Sequence, residues 1–95
     1  MREDCPKIVA IGGGATDPPE PETIGREIVR LSGKKHPKAL FIPTASSDDK
    51  EYWERFRTVY GDQLGCRTSV LYLLGEQPSA KAIREMIFGS DIIFV

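Results

Sequence analysis

A chain of 95 residues, 40% hydrophobic and 28% charged, has the make-up of one small globular domain or part of one. Its formal net charge of −1, with no block of Lys and Arg denser than Lys34-Lys35, excludes the broad basic footprint of a nucleic-acid or membrane-surface binder. No apolar run approaches transmembrane length, and Met1-Arg2-Glu3-Asp4 has no apolar segment behind its charges, as a signal peptide needs. These features predict a cytoplasmic protein with neither nucleic acid nor membrane as partner.

In chain order, the first expected strand is Lys7-Ile8-Val9-Ala10-Ile11, a β-branched run that enters three glycines, Gly12, Gly13 and Gly14. Its composition suits a strand buried on both faces, as in a parallel sheet. Glycines there give up packing and add entropic cost, which a chain tolerates at a sharp turn or close to a ligand. Asp17-Pro18-Pro19-Glu20-Pro21 reads as a loop. The first helix is expected from Glu22 or Thr23, with Ile24, Ile28 and Leu31 on one face and Gly33 as its stop.

Ala39-Leu40-Phe41-Ile42, ended by Pro43, predicts the second strand. Thr44-Ala45-Ser46-Ser47-Asp48 supplies capping side chains. Tyr52, Phe56, Val59 and Tyr60 then repeat at helical spacing, with Trp53 alongside, and Gly61 is expected to close this second helix. The third strand spans Arg67–Leu73. Ser79 is a good N-cap for a third helix with Ala80, Ile83 and Ile87 inward and Gly89 at its end. Ile92-Ile93-Phe94-Val95 predicts the fourth strand.

Strands alternating with amphipathic helices indicate βα units and a parallel sheet with helices on both faces. A doubly wound order of second, first, third and fourth strand puts the glycine-tipped strand inside the sheet, beside the topological switch point. The fourth strand is fully apolar, so pairing along both edges is expected of it. An unpaired edge invites self-association, and a homo-oligomer through that edge is one expectation. The chain reads as cut after that strand.

The candidate chemistry is sparse. A Rossmann fingerprint needs a third glycine three residues after the second, opening a helix. Here Asp17 stands in that place, prolines follow, and Pro43-Thr44 offers no acid for a ribose, so no dinucleotide cofactor is expected. A small-anion or nucleotide module using Gly12–Gly14 stays open as the alternative. Gly33-Lys34-Lys35 lacks the other parts of a Walker loop. Ser46 and Ser47 lie outside any Gly-x-Ser-x-Gly elbow and are expected to cap the second helix. His36, in a charged turn, falls at the amino end of the second strand. Asp17, Asp48 and Asp49 are read as loop and cap acids, so no metal is expected. Cys5 and Cys66 lack metal-ligand spacing and are expected to be buried thiols.

Three stretches, Lys7–Gly14, Ala39-Leu-Phe-Ile-Pro-Thr-Ala-Ser46 and Ser90-Asp-Ile-Ile-Phe-Val95, resemble in order and spacing the amino-terminal part of the peptidase E family. This is a family of α-aspartyl dipeptidases related to cyanophycinase, with a fold similar to the class I glutamine amidotransferases. The resemblance implies that residues 1–95 are the first half of a flavodoxin-like, three-layer hydrolytic domain. It also implies a serine hydrolase of dipeptides. Its oxyanion-hole turn, nucleophilic serine, acid and histidine would all lie past Val95, so no catalytic residue transfers to this chain. Gly12, Gly13, Gly14, Pro43, Thr44, Ala45 and Ser46 would then stand at the carboxyl edge of the sheet as cleft-wall candidates. The expected partner is a peptide substrate of the longer parent.

Overall fold

A computed structural model of the chain describes residues 6–10, 20–75 and 77–95. Its elements in order are α1 (Glu20–Ser32), β1 (Lys38–Phe41), α2 (Lys50–Phe56), β2 (Arg67–Val70), α3 (Ala80–Phe88) and β3 (Ile92–Phe94). A 3-10 turn at Thr44–Ser46 follows β1, and α2 runs on without a break into a π-helical segment, Arg57–Gln63.

The sheet is parallel and three-stranded, in the order β2-β1-β3. Lys38, Ala39, Leu40 and Phe41 stand opposite Arg67, Thr68, Ser69 and Val70. On the other side Ala39, Leu40 and Phe41 stand opposite Ile92, Ile93 and Phe94. The α/β class and the parallel sheet agree with the sequence reading, and the strand order does not. Residues 6–10 form no strand, and Ile8 is 94% exposed. The centre is instead the expected second strand. Its two edges are taken by β2 and β3, and Ala39 and Leu40 are wholly buried, so no strand fits between them. The apolar run at Ile8–Ala10 has strand composition but is not part of the described sheet. β3, expected to be paired on both edges, is an edge strand with Ile93 and Val95 exposed.

Strand alternation sorts the side chains onto two faces. Ala39, Phe41, Ile92, Val70 and Phe94 face a cluster with Phe56, Tyr60 and Cys66, and α1 adds Ile28 and Val29 to it. Phe56 is the middle of this layer. It stacks on Phe41 at 4.7 Å and on Tyr60 at 4.5 Å between ring centroids, and lies tilted 5.6 Å from Phe94. Tyr52, Trp53 and Phe56 thus pack on the sheet, as their spacing predicted. Burial pushes the Tyr60 phenol up to about 12, helped by the nearby Cys66, and also raises the Cys66 thiol. Cys66 is a buried free thiol, whereas Cys5 lies outside the described residues. On the opposite face, Glu85 and Met86 of α3 line one groove with Lys38 and Ser69.

Two helix ends depart from expectation. α1 starts earlier than Glu22 and takes Pro21 into its first turn, where a missing N–H costs no intrahelical bond. Gly61 does not close the second helix. The π segment carries the chain past it, with Leu64 N–H donating to the Val59 carbonyl and Cys66 N–H to that of Tyr60. Gly65, at φ 78°, makes the stop. A Cβ at Gly61 would stand 3.4 Å from the Thr68 side chain, an ordinary contact, so the packing on β2 does not itself demand a glycine there. Gly33 (φ 74°) ends α1 and Ser79 caps α3, accepting from Ala82 N–H at 3.1 Å, both as expected.

The amino ends of the strands are fastened by Asp91. Its carboxylate accepts from Lys34 Nζ at 2.8 Å and from the Lys38 amide at 2.9 Å. These two donors, the lysine first, hold its pKa below the ordinary aspartate value.

Candidate functional site at the carboxyl edge of the sheet

β1 delivers the chain to the carboxyl edge at Pro43, which is buried. From there the backbone coils tightly. Ser46 N–H and Asp48 N–H both donate to the Pro43 carbonyl, at 3.0 and 2.9 Å, and Ser47 N–H donates to that of Thr44 at 3.0 Å. Closing so small a turn puts two consecutive non-glycine residues, Ser47 (φ 57°) and Asp48 (φ 55°), in the left-handed region. Each such residue costs about 1–2 kcal/mol, and Asp is among the few that visit this region routinely.

Asp48 returns part of that cost. Its Oδ2 accepts from the Leu74 amide at 2.8 Å, which ties the turn after β1 to the loop after β2. Its Oδ1 and the Thr44 hydroxyl oxygen are buried with no hydrogen-bond partner. Asp49 is the N-cap of α2 and accepts from the Glu51 amide at 2.8 Å. That cap was expected from Ser46 or Ser47. Ser46 instead sits in the 3-10 turn and Ser47 is held in the left-handed conformation. Tyr72 belongs to the same edge. Partial burial raises its phenol, and the charges of Asp48, Glu54 and Asp49 raise it further. Its proton is thus kept beside a group of carboxylates.

Of the sequence-predicted wall residues, Pro43, Thr44, Ala45 and Ser46 form one turn in which Ala45 is exposed and Thr44 and Ser46 are half-buried. Gly12, Gly13, Gly14 and Asp17 lie outside the described residues. His36, the one histidine of the chain, is at the other end of β1, where its Nδ1–H donates to the Gly65 carbonyl at 2.8 Å. Ser46 and His36 thus lie beyond opposite ends of β1, a strand roughly 10 Å long at 3.3 Å per residue. Nucleophilic attack by a hydroxyl needs a base within hydrogen-bond reach, and the described residues bring no such pair together. Nor do they bring together three or more His, Cys, Asp or Glu residues that could hold a metal. What the edge shows is one tight turn whose Pro43 and Thr44 carbonyls and Asp48 carboxylate already accept from the chain's own amides.

Sequence reasoning missed Tyr72 and the Asp48–Leu74 tie. Both depend on β1 and β2 being neighbours, which no local pattern states. The Ser-Ser-Asp-Asp run did signal a capped helix start, though not which member would cap it.

The sequence matches Peptidase family S51 over residues 8–95. It is also 30% identical over 90 residues to the uncharacterized peptidase YgaJ of Bacillus subtilis (strain 168). That alignment takes in 94% of this chain and 38% of the relative, so the chain spans well under half of the curated relative's length. No solved structure matches it.

Proposed function

This chain belongs to peptidase family S51, and on that footing we propose that it is the amino-terminal scaffold of a serine hydrolase that cleaves dipeptides or short peptides, Asp-Xaa first among them. The observation that carries the reading is the family match along residues 8–95.

Serine hydrolysis needs a nucleophile, a base for its proton and donors aimed at the oxyanion. The turn from Pro43 to Ser46, braced by Asp48 on Leu74, forms one wall of the substrate cleft in this reading. The sheet is the platform on which the elbow strand of a three-layer domain would rest. The base would come from outside this segment, since His36 is committed at the amino end, and the chain by itself is inactive. A cytoplasmic location is in keeping with the free Cys66 thiol. No helix among the described residues is long and apolar enough to cross a membrane. The open edge of β3, with Ile93 and Val95 exposed, supports self-association of the isolated segment.

The test is hydrolysis of Asp-Xaa dipeptides by the 95-residue chain and by the parent chain that contains it. Turnover is expected only from the longer protein, and it should be lost on replacing its elbow serine. Robust turnover by the 95 residues alone would overturn the scaffold assignment, and a longer chain inert on every dipeptide would overturn the activity.

A further inference from the structure

We propose that the groove between α3 and the amino-terminal half of the sheet binds a small zwitterion, with a carboxylate at one end and an ammonium at the other, as in a free α-amino acid. The parallel register sets Lys38 directly opposite Arg67, on adjacent strands about 4.8 Å apart. Both residues are exposed, and both belong to the face that carries Leu40 rather than the aromatic core. Like charges in that relation repel. The one acid held beside them relieves the pair only in part, since the Arg67 charge helps to lower the Asp91 carboxyl while both of its oxygens are taken by Lys34 and the Lys38 amide. Among the described residues neither Lys38 nor Arg67 enters an ion pair.

Both residues line a groove of about 280 Å³, together with Ser69, Glu85, Met86 and Ser90. An Arg fork beside a Lys point charge is a receptor for a carboxylate. Glu85, likewise without an ion pair among the described residues, works against a plain anion and favours a ligand that also carries an ammonium. A groove just below the usual size range for ligand sites admits something no larger than one amino acid. Every charge lining it then has a counterpart. The site lies at the amino ends of the strands, apart from the Pro43–Ser46 turn, and does not depend on the hydrolase reading.

The experiment is an amide NMR titration of the 95-residue chain with glycine, acetate and methylammonium. Glycine should shift the Lys38, Arg67, Ser69 and Gly89 amides saturably, with acetate weaker and methylammonium weakest. Arg67→Gln should weaken glycine by about tenfold or more, and Lys38→Gln gives the same reading should the first variant fail to fold by circular dichroism. Glu85→Gln should weaken glycine and strengthen acetate. That crossing of signs is the signature of a zwitterion site. Acetate binding as tightly as glycine, with no response to Glu85→Gln, would reduce the groove to an anion patch and overturn the proposal. So would the absence of saturable shifts with any of the three up to about 50 mM.

Discussion

Phe56 is where one substitution should tell most about how this segment holds the turn after β1 in place. Its ring is 6% exposed and lies within 6 Å, centroid to centroid, of Phe41, Tyr60 and Phe94. Phe56→Ala removes a buried ring, a change that typically costs about 3–5 kcal/mol through lost transfer energy and the cavity left behind. Stacked pairs add about 0.5–1.5 kcal/mol each beyond area, but those terms overlap with the cavity figure, so about 4 kcal/mol is the expected loss. Against a total of about 5–15 kcal/mol for a small domain, that removes a large share of the stability. Phe56→Leu keeps most of the volume and gives up the stacking, for about 1–1.5 kcal/mol. Urea titration followed by Trp53 fluorescence measures both, since Trp53 lies 6.3 Å from the Phe56 ring. Because Phe41 ends β1 just ahead of the turn, the Ser46 and Ser47 amides should shift in the alanine variant and hold still in the leucine one. A loss under about 1.5 kcal/mol for Phe56→Ala, or equal losses for the two variants, would refute the central role assigned to the stack.

Two further outcomes follow from named contacts. Asp48→Ala should speed hydrogen exchange at the Leu74 amide by about tenfold, the equivalent of losing a hydrogen bond worth about 1–1.5 kcal/mol. Asp48→Asn, which keeps an acceptor oxygen, should fall between, and unchanged exchange in Asp48→Ala would show that the two loops are not tied there. For pH, Asp91 has a lowered folded-state pKa, so its contribution is present above the ordinary aspartate range and is lost as pH falls through about 4 and below. Asp91→Asn should flatten the acid side of the stability curve at a cost near 1 kcal/mol at neutral pH, the partly solvated Lys34 bond adding little. An acid limb equally steep in the variant would assign that dependence to other carboxylates.

Much of the candidate site was legible locally. Pro43 ends β1 because it cannot continue a ladder, and a run of Thr, Ser and Asp after it had to become a turn and a cap. What no window shows is that Leu74, a distant residue, supplies the donor that holds Asp48 in a left-handed conformation. Nor does it show that Tyr72 comes to lie near three carboxylates.

The same division runs through the fold. Side-chain periodicity alone determined that α1, α2 and α3 are amphipathic helices, that Gly33 and Ser79 bound two of them, and that the apolar runs at Ala39 and Ile92 are strands, because period and capping are properties of neighbouring residues. Pairing is a property of residues far apart. Lys7–Ala10 has as much strand character as Ala39–Ile42, yet the central place went to Lys38–Phe41, whose two edges pair with β2 and β3 while Phe41 is buried against Phe56 and Leu40 is buried on the other face. Only tertiary packing could decide between two runs of equal propensity, since the choice turns on which backbone has its hydrogen bonds met on both sides at once.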